Sequence, residues 1–244
     1  MKQYHFPQID STNDFAKELL KTESEIIVTA DYQTKGKGRS NRTWAGDYGN
    51  NIYYSYGLRH DVVPVLDNII IYQIIGCLAV KSLLIEQTQN DIFKLKYPND
   101  IMALDNSRFY KKIAGVLAEH SFLGNDCISS IIGIGVNVNQ AIFNNEIFNN
   151  ATSLKLLGYD KNVNELIEKL TLQIQFWLKK DSVTIFNIWK NELNLVGKIV
   201  ELTSSNDKWQ VDSILNDGRL LAINCNSGEQ RKIDNGDSVR YKIG

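Results

Sequence analysis

The chain has little with which to hold a metal, a disulfide or a nucleic acid. Its three cysteines, Cys77, Cys127 and Cys225, are odd in number and scattered, which points to reduced thiols in a cytoplasmic protein rather than a disulfide framework. The three histidines, His5, His60 and His120, are isolated, and no Cys or His cluster has metal-ligand spacing; the sequence names no metal ligands. The formal net charge is −1, so no global basic field exists for nucleic acid and any anion site must be local. There is no Gly-x4-Gly-Lys-Ser/Thr run and hence no P-loop. Gly133-Ile134-Gly135 continues into Val136-Asn137-Val138 and lacks the third glycine of a dinucleotide fingerprint. No serine sits in a nucleophile elbow. The usual hydrolase, dehydrogenase and zinc-enzyme readings are weak on these grounds. Residues 1–7 lack the apolar core of a signal peptide. The most apolar stretch, residues 69–85, is interrupted by Gln73, Lys81 and Ser82 and reads as a buried helix rather than a membrane span.

What is present is a dense basic loop. Residues 32–44 carry Lys35, Lys37, Arg39 and Arg42 with Gly36 and Gly38 and no acid. An apolar strand, Ile26-Ile27-Val28, precedes the loop, and the aromatic strand Ile52-Tyr53-Tyr54-Ser55-Tyr56 follows it. Glycines let backbone N–H groups approach a phosphate and the cations neutralise it, although a solvated surface loop has the same composition. At 244 residues, one large domain or one domain with a small module is expected.

Along the chain, Ser11 with Asp14 fits a helix cap, followed by the apolar stripe Phe15, Ala16, Leu19 and Leu20. Pro64 is read as the start of a deeply buried helix running to about Glu86. Strands are expected at 93–97, 101–104, 113–122 and 128–137 in an antiparallel meander. An Asn-rich loop at 144–152 and helices at 163–179 and 183–193 follow. Five short strands at 198–203, 208–214, 219–224, 230–233 and 238–243 then alternate with turns at 205–207, 216–218, 226–228 and 235–237. The fold class expected is α+β, a mixed and largely antiparallel sheet flanked by helices over 1–194, with a small β-barrel over 195–244.

Five segments occur in a telling order. They are Ser11-Thr12-Asn13, Gln33-x2-Gly-Lys-Gly-Arg39-x2-Arg42-x-Trp44, Lys96-Tyr97-Pro98-Asn99-Asp100, Lys112-Ile-Ala-Gly-Val-Leu-x-Glu119, and Gly133-Ile-Gly-Val-Asn-Val-Asn139. Together they resemble the biotin–protein ligase family over nearly the whole chain. The resemblance implies a fold like that of class II aminoacyl-tRNA synthetases and lipoate ligases, ending in an SH3-like barrel. It implies that ATP and biotin, with Mg2+, give biotinyl-AMP, and that biotin then passes to a lysine of a carboxylase carrier domain.

The resemblance also implies residue roles. Ser11, Thr12, Asn13 and Gln33 match the biotin pocket, and Gly36, Lys37, Gly38 and Arg39 match a loop that folds over biotin and the adenylate. Arg39 and Lys112 would be the catalytic cations at the reacting carboxylate and α-phosphate, with Gly115 beside them. Arg42, Trp44, Asn99, Asp100 and Asn137 match the ATP side. Lys37 stands where arginine is usual and loses its planar fork; Tyr97 stands where tryptophan is common. The first motif begins so early that no helix-turn-helix domain, and hence no sequence-specific DNA binding, is expected. Family members are monomers or homodimers, and the sequence does not choose. The remaining alternatives are a lipoate or octanoate ligase and a non-catalytic ligand-binding relative.

Overall fold

Helix α1 (Thr12–Leu19) starts at the expected cap. Ser11 is extended, and its hydroxyl accepts from the Asp14 N–H at 3.4 Å, satisfying one of the donors that a helix start leaves unpaired. The computed structural model describes residues 1–62, 69–143, 150–203, 207–233 and 239–243. The expected helix start at Pro64, most of the Asn-rich loop, turn residues Ser205 and Asn206, and the turn 235–237 lie outside the described residues.

Strands β1 (Lys2–Phe6), β2 (Glu25–Ala30), β3 (Asn51–Arg59), β4 (Phe93–Lys96), β5 (Asp100–Leu104), β6 (Tyr110–Leu123) and β7 (Asp126–Asn137) form one sheet in the order β1-β2-β3-β7-β6-β5-β4. Only β1 pairs in parallel, with β2; the other pairs are antiparallel. The meander expected between 93 and 137 is therefore present. Strand β1 was not expected. It is a five-residue edge strand with little buried surface, so it lacks the apolar alternation that marks a strand in sequence.

The sheet has two unlike faces. Helix α2 (Ile70–Thr88) packs on β4 to β7 together with α3 (Val163–Leu178) and α4 (Ser182–Leu193). It is apolar nearly all round and long enough to cross a membrane by composition, but here it supplies the main core, with Ile74, Leu78, Leu83 and Leu84 buried. Gly76 allows the close approach: a Cβ there would lie 2.7 Å from Ile132 Cγ2 and from Val116 Cγ1. On the opposite face α1 covers β2, β3 and β7 with a smaller apolar cluster, Ala16, Leu20, Ile26, Val28 and Ile131.

The C-terminal strands β8 (Ile199–Leu202), β9 (Lys208–Ile214), β10 (Leu220–Asn224), β11 (Gln230–Ile233) and β12 (Val239–Arg240) fall close to the five expected. They form a second, antiparallel sheet in the order β11-β10-β9-β8-β12. Among the described residues it is open, with β11 and β12 as its edges.

Away from the glycine motifs, the end of β3, where His60 follows Arg59, meets β6 and β7 and brings two histidines to one serine. His60 Nε2 and His120 Nδ1 each lie 2.8 Å from Ser130 Oγ, and the Tyr72 ring sits against both imidazoles. Burial lowers both pKa values; that of His120 falls to about 4, with His60 adding to the effect. A base whose folded pKa lies below its ordinary value of 6.5 contributes stability that is present above 6.5 and is lost as pH falls towards 4, because the unfolded chain takes up the proton first. The melting temperature is expected to drop across that interval. His120→Asn should flatten the drop in a pH series followed by circular dichroism; an unchanged slope would assign the loss to other groups.

Candidate active site

The site is built on missing side chains. Gly135 lies opposite Tyr53 on one side and Gly115 on the other, and Gly133 lies opposite Ser55 and Leu117. Side chains alternate along a strand, so Ile132, Ile134 and Val136 enter the main core while 133, 135 and 137 share the other face. The three glycines leave a trough there. A Cβ at Gly133 would come within 2.3 Å of Asn13 Oδ1, one at Gly135 within 2.2 Å of the Trp44 ring, and one at Gly115 within 3.2 Å of Lys112 Nζ. Over the trough, the start of α1 and the basic loop enclose a cavity of about 260 Å³.

One end of the cavity is amide and hydroxyl. Gln33 Oε1 accepts from the Thr12 N–H at 2.7 Å and from the Thr12 hydroxyl at 3.0 Å. Ser55 Oγ lies 2.8 Å from Thr12 Oγ1 and donates to Asn13 Oδ1 at 2.6 Å, and the Asn13 amide donates to Glu119 Oε2 at 2.6 Å. Thr12, Asn13 and Ser55 are buried, so this network holds its members in fixed orientations. Ser55 and Glu119 were not among the expected site residues. An alternating strand gives no sign of which hydroxyl will meet a ligand-facing amide.

The other end is cationic. Lys37, Arg39, Arg42 and Lys112 line the cavity, against one carboxylate among the described residues, Asp100. A β-bulge aims Lys112. Ile101 pairs with Ala114 but Met102 pairs with Lys112, so Ile113 is the extra residue. Ile113 and Ala114 both enter the core, and Lys112 is turned to the face of Gly115. There its ammonium lies 2.6 Å from Asp100 Oδ1, as an ion pair off the line of a well-formed hydrogen bond, and 5.3 Å from the Trp44 ring centroid. Its backbone is clamped: the N–H donates to Asn150 O at 2.8 Å and the carbonyl accepts from Thr152 N at 2.9 Å. The Trp44 indole N–H is buried and has no hydrogen-bond partner among the described residues.

The basic loop is a small clasp. The Trp44 N–H donates to Gly36 O at 2.9 Å and the Gly38 N–H to Arg42 O at 2.7 Å, around a tip in which Ser40 and Asn41 have φ of 52° and 60°. Lys37 is ion-paired with Asp14 on α1, whose hydrogen bond is the main cause of the raised lysine pKa. Among the described residues Arg39 has no carboxylate partner.

Of the residues expected at the site, Ser11, Thr12, Asn13, Gln33, Lys37, Gly38, Arg39, Arg42, Trp44, Asn99, Asp100, Lys112, Gly115 and Asn137 all line this cavity. Gly36 does not. It is buried behind the clasp, where a Cβ would sit 2.3 Å from the Trp44 carbonyl oxygen, so its smallness serves loop closure. Two of the amides already have backbone partners: Asn99 donates to Val116 O at 2.7 Å and Asn137 to Thr152 O at 3.0 Å. Asn139, whose amide also needed a partner, donates to Lys161 O at 2.7 Å. Gly133 and Gly135, conspicuous in sequence as interruptions of an apolar strand, floor the cavity.

A glycine-floored cavity with a fixed amide and hydroxyl end and a cationic end suits a small polar ligand carrying an anionic group. The chain belongs to the biotin/lipoate A/B protein ligase family, whose model matches residues 5–137. Across 233 residues it is 28% identical to the biotin–[acetyl-CoA-carboxylase] ligase of Mycobacterium tuberculosis, covering 89% of this chain and 79% of that protein. It is 34% identical over 157 residues to the bifunctional ligase/repressor BirA of Bacillus spizizenii, covering 63% of this chain and 46% of that protein. It is 28% identical over 202 residues to BirA of Salmonella typhimurium, where the shares are 80% and 61%. The chain thus spans about half to three fifths of the length of these BirA relatives. In structure it resembles the biotin protein ligase of Aquifex aeolicus in complex with biotin and ATP, with a TM-score of 0.73, 26% identity and 98% of each chain covered.

Proposed function

We propose that the chain is an ATP-dependent biotin–protein ligase, which joins biotin's carboxylate to AMP and passes the biotinyl group to a lysine of a carboxylase carrier domain. The observation that carries this reading is the meeting, in one cavity, of the fixed Thr12–Gln33–Asn13 network with Lys112, Arg39 and Arg42. The amide and hydroxyl end suits biotin's ureido group, which both donates and accepts hydrogen bonds. The cationic end suits its carboxylate and the α-phosphate.

In the first step a carboxylate oxygen attacks the α-phosphorus and pyrophosphate leaves. In the second the carrier lysine amine attacks the acyl carbon and AMP leaves. Two anions must approach in the first step, so preorganised positive charge is the main demand. Lys112 and Arg39 meet it at the reacting centre, and Arg42 and Trp44 hold the nucleotide side with Asn99, Asp100 and Asn137. No covalent nucleophile from the protein is needed, because biotin's own carboxylate attacks; the protein positions and neutralises. Asp100, the one carboxylate among the described residues that line the cavity, has a buried Oδ1 whose neighbour is the Lys112 ammonium, and it is the residue that would hold Mg2+ here. Such an ion, when bound, neutralises phosphate charge. Residues 1–194 form the catalytic domain in this reading, and 195–244 an SH3-like barrel.

Purified chain with biotin is expected to catalyse ATP–pyrophosphate exchange and to label one lysine of a biotin carrier domain. Exchange with lipoate in place of biotin would overturn the assignment of substrate, and binding of biotin without exchange would make the chain a non-catalytic relative.

A further inference from the structure

Neither Ser55 nor Glu119 lines the cavity, yet together they dictate where the protons of its amide and hydroxyl end lie. The order starts at Glu119. A carboxylate and a backbone carbonyl only accept hydrogen bonds, and both face the same nitrogen: Asn13 Nδ2 donates to Glu119 Oε2 at 2.6 Å and to Leu117 O at 3.4 Å. The amide cannot be turned over, because its oxygen would then meet two acceptors. Asn13 Oδ1 therefore faces Ser55 and carries no proton, so the 2.6 Å contact between them uses the Ser55 hydroxyl proton. Ser55 Oγ is left as an acceptor towards Thr12 Oγ1 at 2.8 Å, and the proton for that contact has to come from Thr12.

At Thr12 the protons run out. Its Oγ1 also lies 3.0 Å from Gln33 Oε1, which already takes the Thr12 N–H. Two hydroxyl protons thus serve three oxygen–oxygen contacts. The shorter contact, to Ser55, takes the Thr12 proton, and the shortage falls between Thr12 and Gln33, which both line the cavity. Gln33 Nε2 lies on the side of Gly36, behind the clasp, where a Cβ would be 3.2 Å from it. The reversed order has no shortage. With the Asn13 amide turned, Nδ2 would donate to Ser55, Ser55 to Thr12 and Thr12 to Gln33; every contact would hold a proton, and the cavity would lose its free acceptors. The Glu119 carboxylate forbids that order. Leu117 O, at 3.4 Å, is too long a bond to hold the amide by itself.

We propose that Glu119 is a positioning residue that sets the proton order of this network, Thr12 to Ser55 to Asn13 to Glu119, and thereby makes Thr12 Oγ1 and Gln33 Oε1 acceptors that select a ligand presenting an N–H donor. The proposal rests on the biotin reading above and adds to it which way the polar end reads the ureido group: by its N–H. Thr12, Asn13 and Ser55 are buried, so an acceptor of the ligand set against these oxygens would have no proton to share and would be rejected. The Glu119 charge also acts on Lys37, but a charge alone would favour or disfavour all neutral ring systems alike, whereas a proton order separates donors from acceptors.

The test uses the full chain as wild type and as Glu119→Gln, which keeps the shape of the side chain but replaces a pure acceptor by an amide that suits either order of the network. Three ligands are titrated by calorimetry without nucleotide: biotin, and the two cyclic carbamates in which one or the other ureido N–H is replaced by oxygen. Wild type is expected to bind biotin about 100-fold more tightly than at least one carbamate, since a site built to receive an N–H rejects the analogue that lacks it. In Glu119→Gln biotin is expected to weaken by about tenfold, and that ratio to fall to about tenfold or less. A wild type that binds both carbamates within about tenfold of biotin, or a variant whose ratio stays above about tenfold, would overturn the proposal, the second by showing that any loss of affinity comes from the charge. These outcomes leave the biotin reading standing. A wild type with no affinity for biotin would overturn that reading, and the role of Glu119 with it.

Discussion

Lys112→Ala is expected to lower biotin-dependent ATP–pyrophosphate exchange by roughly 10²- to 10³-fold, the usual effect of removing one preorganised charge at a reacting centre. The chain should stay folded. The Lys112 side chain is about a third exposed, and its backbone, which an alanine retains, carries the bonds to Asn150 and Thr152. The substitution acts twice on the reaction. In the proposed reaction it deletes a cation at the junction of carboxylate and α-phosphate, and it leaves Asp100 without its ion-pair partner. Biotin binding alone should change much less than exchange, because the amide and hydroxyl end does not include Lys112. Exchange within about fivefold of wild type, with an unaltered melting temperature, would show that the lysine is not at the reacting atoms.

Gly133→Ala is expected to weaken biotin by about 100-fold. The new Cβ would stand 2.3 Å from Asn13 Oδ1 and 2.6 Å from its amide nitrogen, closer than any real contact, so the whole Asn13 amide has to move. It cannot do so freely, because Ser55 and Glu119 each hold it at 2.6 Å. Displacing it breaks two short bonds, one buried and one part-buried, at about 1–3 kcal/mol each, in the place where the ligand's polar group would be read. Calorimetric titration with biotin measures the loss. A change of less than about threefold would place biotin elsewhere in the cavity. ATP binding is the internal control, since the cationic end is separated from Gly133 by the Gly135–Trp44 contact.

Much of this protein is legible in the chain itself. The cap at Ser11, the all-round apolar helix α2, the meander from β4 to β7 and the alternation in the C-terminal module are local patterns. Local hydrogen bonding and periodicity decide them, and the structure reproduces them within a few residues. The site motifs are local too: the glycines and cations of 33–44, the amides after Pro98 and the glycines of β7 come together as expected, with Gly36 the exception. That glycine answers to a carbonyl eight residues away in the clasp rather than to a ligand, and spacing cannot tell one need for smallness from the other.

What only the tertiary structure decided depends on contacts between segments distant in sequence. Strand β1 exists because β2 offers it an edge. Ser55 and Glu119 join the site because β3 and β6 fall into register beside β7 and Asn13 lies above both. The aim of Lys112 is the clearest case. Counted by twos from Gly115, residue 112 belongs to the face buried under α2; the extra residue, Ile113, reverses that parity and delivers the ammonium to the cavity. A bulge is set by the partner strand β5, so the sequence of β6 does not reveal it. The same holds for Tyr97, which reads as a corner residue. Its bonds to Gly218 and Tyr241 span more than a hundred residues, and only the docking of the second sheet brings those groups within reach.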